Sequence, residues 1–97
     1  MEILKNVDGG TLCLSVSGRL DNTTAPELEA HKEALTGITS LILDFTNLEY
    51  VSSAGLRVLL TFQKIMNKQG SMTIKNVSPD VMEIIDITGF SDILTIE

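Results

Sequence analysis

Short apolar runs and longer helical patterns take turns along this chain, and that alternation limits the fold more than any other feature. Leu41-Ile42-Leu43, Met72 to Ile74 and Ile93 to Ile96 read as strands, with helical patterns over 53–68 and from Ser78 to near Ile87 between them. Strands that alternate with helices pair in parallel through right-handed crossovers. The first twenty residues differ. Ile3 and Leu4 start a short strand, and Asp8-Gly9-Gly10 is a hairpin turn signal. Thr11 to Ser17 then alternates, with Leu12, Leu14 and Val16 on one face and Cys13, Ser15 and Ser17 on the other. Gly18 is expected to end that strand. A hairpin adds an antiparallel pair, so the expected fold class is α/β: a small mixed β-sheet of four to five strands, mostly parallel, with helices packed against it.

Local punctuation sets the boundaries. Asn22-Thr23-Thr24 before Ala25-Pro26-Glu27 reads as a helix start, with Thr24 and Glu27 at capping-box spacing and Pro26 tolerated in the first turn. That helix is expected to reach about Leu35 and stop at Gly37. Ser40 to Phe45 reads as a strand buried on both faces. Gly70 is placed for a left-handed cap, and Ser78 and Pro79 occupy the cap and first helical positions of a third helix.

Size and charge narrow the function classes. With 97 residues, the chain is expected to form one domain over 1–97. Its 13 acidic and 7 basic residues give a formal charge of -6, which argues against nucleic acid and anionic membrane as partners. No apolar run is long enough to span a bilayer, and Met1-Glu2-Ile3-Leu4-Lys5 lacks the features of a signal peptide. Cys13 is the only cysteine and makes no internal disulfide. The expectation is a cytoplasmic, acidic protein that works through a protein partner or a small ligand.

The helical pattern over 53–68 holds most of the functional information. Arg57, Thr61, Lys64 and Lys68 form one polar stripe, while Leu56, Val58, Leu59, Leu60, Phe62, Ile65 and Met66 fill a wide apolar arc. The arc either packs on a neighbouring helix or stays partly exposed for docking. Ser52 and Ser53 lie where a strand hands over to this helix, a place that suits an anion or a covalent phosphate. Serine is also an ordinary helix cap, and most serines at helix starts do nothing else. Val51-Ser52-Ser53-Ala54-Gly55 is only half of a nucleophile elbow, because Val51 stands where the first glycine belongs. The one histidine, His31, lies in the first helix with Glu27 and Glu29 beside it, a pattern that reads as a solvated face. Asp21 and Asp44 fall near strand ends, where turns recruit aspartate for local hydrogen bonds. No Walker loop, dinucleotide fingerprint or metal-ligand spacing occurs. Intrinsic catalysis is not expected.

Three segments together carry a family likeness. Gly18-Arg19-Leu20-Asp21, Leu41-Ile42-Leu43-Asp44-Phe45 and Tyr50-Val51-Ser52-Ser53-Ala54-Gly55-Leu56-Arg57-Val58-Leu59 resemble a STAS domain of the anti-sigma factor antagonist family. Gly70-Ser71-Met72, Ser78-Pro79 and Thr88-Gly89-Phe90 extend the likeness nearly end to end. The resemblance implies a regulator, not an enzyme, that binds an anti-sigma factor serine kinase and so releases the sigma factor. It implies phosphorylation at Ser53, which ends the interaction, and a phosphatase that resets it. Asp21 matches a family aspartate at the partner-binding surface. Many family members carry aspartate where this chain has Ser52, which makes Ser52 a second candidate acceptor.

No cofactor is expected; ATP and its metal belong to the kinase. The expected docking surface joins Asp21, Asn22 and Thr23 to Ser52, Ser53, Ala54, Gly55 and Arg57. Ser53 is expected to face the free N–H groups of Gly55 and Leu56, with Ser52 shaping the loop before it. Two other readings stand beside this one. A STAS scaffold in a larger regulatory or transport complex needs no phosphorylation, and a nucleotide-sensing subunit holds a phosphate at the helix N-terminus.

Overall fold

Strands β1 (Glu2–Asp8) and β2 (Thr11–Leu20) form an antiparallel hairpin in which Asp8 lies opposite Thr11. Gly9 and Gly10 close it, with Gly9 at φ +61°, a conformation that glycine adopts without penalty. The computed structural model describes residues 1–97. β2 does not end at Gly18. That residue sits at φ +86°, and the pairing register shifts between Gly18 and Arg19. The bulge re-aims the strand. Residues 11–15 of β2 pair with β3 (Ser40–Asp44), whereas 18–20 pair with β4 (Leu48–Val51).

The sheet has five strands, in the order β1-β2-β3-β5 with β4 beside the far end of β2; β5 spans Ser71–Lys75. All pairs except β1–β2 are parallel. The fifth strand is therefore β4 and not Ile93 to Ile96. A 3₁₀ turn at Phe90–Asp92 delivers Ile93 in a helical conformation, so only Ile96 reaches the sheet, as a single bridge to Ile74.

The first helical segment is α-helical only over α1 (Ala25–Glu29) and continues as 3₁₀ from Ala30 to Leu35. Its expected capping box is absent. The Thr24 hydroxyl donates to the Arg19 carbonyl at 2.7 Å and accepts from the Asp21 N–H at 2.8 Å, so it is not available to the helix. Two longer helices follow, α2 (Ser53–Gln69) and α3 (Pro79–Ile87). Ser78 caps α3 by accepting from the Val81 N–H at 3.3 Å.

One face of the sheet carries the core. Leu12, Leu14 and Val16 of β2, Leu41 and Leu43 of β3, and Met72 and Ile74 of β5 join the buried side chains of the helices in one cluster. The opposite face, with Cys13, Ser15, Ile42, Asp44 and Thr73, stays partly exposed. β3 is thus buried on one face only, since no helix covers the other. The apolar arc of α2 is filled by packing: Leu56, Val58, Leu59, Phe62 and Met66 are buried, and only Leu60 and Ile65 are partly open. Gly70 is not a left-handed cap. Its φ is 171°, and a Cβ there would stand 1.8 Å from the Thr39 carbonyl oxygen, so the glycine permits a close backbone approach. No helix is long and apolar enough to cross a membrane.

Candidate functional site

Everything singled out around Asp21 and Ser52 hangs from two neighbouring strand ends. β2 and β4 run parallel, with Leu20 opposite Val51, and the Ser52 N–H donates to the Leu20 carbonyl at 2.8 Å. The loops that leave these strands emerge at the same carboxyl edge, where open α/β sheets place their ligand crevices.

On the β2 side, Asp21 organises its own loop. Its Oδ1 accepts from the Thr23 N–H at 3.0 Å, the Thr23 hydroxyl at 2.7 Å and the Thr24 N–H at 3.2 Å. These bonds, the Thr23 hydroxyl foremost, hold the Asp21 carboxyl below the usual carboxylate range. Arg19 lies over the Tyr50 ring, 4.3 Å from its centroid, with Nε 3.9 Å from Asp21 Oδ2. Arg19 and Tyr50 are partners across β2 and β4. This pair was not singled out from the sequence. Arg19 stands two residues before Asp21 in the motif, but Tyr50 lies on a strand of four residues too short to be recognised by its pattern.

On the β4 side the two serines separate. Ser52 is the N-cap of α2, extended at φ -96° and ψ 175°, and its hydroxyl accepts from the Gly55 N–H at 3.4 Å. Ser53 is the first residue of the helix and is exposed. The expectation that Ser53 faces the Gly55 and Leu56 N–H groups is therefore corrected: the bond from its N–H to Leu20 fixes Ser52 just past the end of β4, so the Ser52 hydroxyl takes the Gly55 N–H and the Ser52 carbonyl takes the Leu56 N–H at 2.9 Å.

Gly55 is buried, which makes it a packing residue within the expected docking set. A Cβ there would lie 2.7 Å from Leu20 Cγ and 2.9 Å from Val51 Cγ2. Its absence lets α2 close onto both strand ends. Next to the serines, α1 and α2 leave an open groove lined by Asn22, Ala54 and Arg57 together with Pro26, Glu29 and Val58. Arg57 is exposed and takes part in neither of the two ion pairs, Arg19–Asp21 and Lys75–Glu97.

Asp44 is engaged elsewhere. Its Oδ1 accepts from Asn76 Nδ2 and the Thr46 N–H, both at 3.0 Å, and from the Thr46 hydroxyl at 2.6 Å. The Asn76 amide above all lowers its pKa. Asp21 is thus committed to its own turn, and Asp44 to its turn and to Asn76. His31 turns Nδ1 to the Glu27 carbonyl at 3.1 Å.

The sequence profile of the STAS domain matches residues 2–97. The chain belongs to the STAS domain family. This STAS domain is 32% identical over 99 residues to BtrV of Bordetella bronchiseptica, covering 99% of this chain and 85% of the relative. It is 32% identical over 91 residues to the anti-sigma F factor antagonist of Paenibacillus polymyxa, covering 90% of this chain and 78% of that one. An anti-sigma factor antagonist from Mycobacterium paratuberculosis superimposes with a TM-score of 0.86 at 26% identity, covering 98% of this STAS domain and 83% of that chain.

Proposed function

We propose that this STAS domain is an anti-sigma factor antagonist, bound by an anti-sigma factor serine kinase and switched off by phosphorylation of Ser53. The names of its Paenibacillus and Mycobacterium relatives support the class. The observation that carries the site is the division between the serines: Ser52 is occupied as the cap, while Ser53 offers an exposed hydroxyl on the first residue of α2. The docking face is the carboxyl edge of β2 and β4, with Asp21, Asn22, Thr23, Ser53, Ala54 and Arg57.

In the writing step the γ-phosphoryl of ATP passes to Ser53 Oγ, the hydroxyl proton goes to a base on the kinase, and ADP leaves. The ATP and its metal come with the kinase, and a phosphatase removes the group by hydrolysis. The phosphate adds about -1.5 to -2 charges, which the start of α2 accommodates through its dipole. The STAS domain keeps its fold. The partner loses instead, because a dianion enters an interface built around a neutral hydroxyl. Burying it uncompensated costs on the order of several kcal/mol, which weakens binding by orders of magnitude.

The test is incubation with the kinase and ATP, followed by intact mass and fragment mapping. One phosphate on Ser53 is expected, with Ser53→Ala unmodified and retained by the kinase. Phosphate on Ser52 alone overturns the assignment. If neither serine is modified by a kinase active on another antagonist, the scaffold reading replaces this one.

A further inference from the structure

The two arginines near the acceptor are in different situations. Arg19 is engaged by the Tyr50 ring and by Asp21, whose other oxygen is bound to Thr23 and Thr24. Arg57 is exposed, lies on the same helix as Ser53 four residues further on, and has no carboxylate within ion-pair distance. Between it and Ser53 the helix offers no competing charge: Ala54, Gly55 and Leu56 are all uncharged.

We infer that Arg57 is the internal counter-ion of the Ser53 phosphate. The inference rests on Ser53 being the acceptor. Side chains four apart on a helix have Cβ atoms about 5–6 Å from each other, a span that a phosphate and a guanidinium close between them. The order is the favourable one, with the anion N-terminal to the cation. The planar guanidinium also matches two phosphate oxygens at once, which an ammonium does not. Phosphorylation then does two things to the docking face: it adds a dianion and it withdraws the one arginine there that is otherwise free. The other charge lining the groove with Arg57 is Glu29 on α1, while Asp21 and Arg19 at the end of β2 are paired with each other.

The experiment follows the ³¹P resonance of phosphoserine at position 53 through a pH titration at low salt. The group is introduced by the kinase or, independently of any kinase, by encoding phosphoserine directly. Arg57→Gln is expected to raise the second phosphate pKa by about 0.2–0.4 unit relative to the parent. Arg57→Lys recovers part of that difference. Lys64→Gln, on the same helix but about three turns from Ser53, leaves the titration unchanged. An Arg57→Gln protein that titrates like the parent overturns the inference, as does an equal shift from Lys64→Gln, which signals a general field. A kinase that ignores Ser53 refutes the functional proposal instead, and the encoded phosphoserine still reports on Arg57.

Discussion

Ser52 and Ser53 have the same side chain and different work because helix α2 starts between them, one residue after β4 ends. Ser52 keeps its N–H in the β2–β4 ladder and its hydroxyl on the Gly55 N–H, while Ser53 is already helical and exposed. Ser52→Ala should therefore destabilise the fold by about 0.5–1 kcal/mol, a loss of about 4–8 °C in melting temperature per kcal/mol for a chain of this size. Ser53→Ala should stay within about 0.5 kcal/mol of the parent. Thermal melts of both variants settle it, and an equal loss from each contradicts the division. The sequence narrows the cap to two adjacent serines and goes no further, since both are preferred caps. What decides is where the ladder stops, a property of the pairing with β2.

Between elements, the decisive contacts are the close ones. α2 rests on the strand ends because Gly55 has no Cβ to meet Leu20 and Val51. Gly55→Ala should cost about 1–3 kcal/mol through overpacking, since both neighbours are buried and held in place. The expected readout is a lower urea midpoint together with weaker binding of the proposed kinase partner, because the helix start shifts with the serines on it. Unchanged stability refutes this close packing. The alternating helices and strands were legible from periodicity and from the Gly9-Gly10 turn. β4 was not, being four residues long and recognisable only once β2 bends at Gly18 to receive it. Nor was the failure of Ile93 to Ile96 as a strand, because apolar composition there serves burial of Leu94 and not ladder pairing. The α2 arc shows the same ambiguity: a sequence reveals that a face is apolar and leaves open whether a neighbour covers it.

For the molecule as a whole, two aspartates at the carboxyl edge tie acidity to stability. Asp21 and Asp44 both have carboxyls held below their ordinary value of 3.8, by the Thr23 hydroxyl and by the Asn76 amide respectively. A lowered folded-state pKa means stability that is present above the unfolded value and lost as pH falls through the folded one. Denaturant midpoints should hold steady down to about pH 5 and fall below about pH 4. Asp44→Asn should lose about 1 kcal/mol at neutral pH, allowing for solvent screening, and its disadvantage should shrink in acid. A disadvantage that stays constant across the range would count against the linkage. That both acids do structural work follows from turn chemistry; that Asp44 also takes Asn76 depends on the pairing of β3 with β5, which sets the residue after β5 beside it.

The exposed hydroxyl of Ser53 has a kinetic meaning. Nothing in the fold holds it back, so an enzyme that modifies it has no hydrogen bond to break and no segment to pry open. Under the proposed phosphorylation of Ser53, the rate at which the mark is written is then set by encounter and chemistry, and is independent of how often the domain breathes. A substitution that destabilises the core, such as Phe62→Ala, lowers the amount of folded protein without speeding its modification. Domain stability and signal timing can accordingly drift apart over evolution, each tuned without disturbing the other.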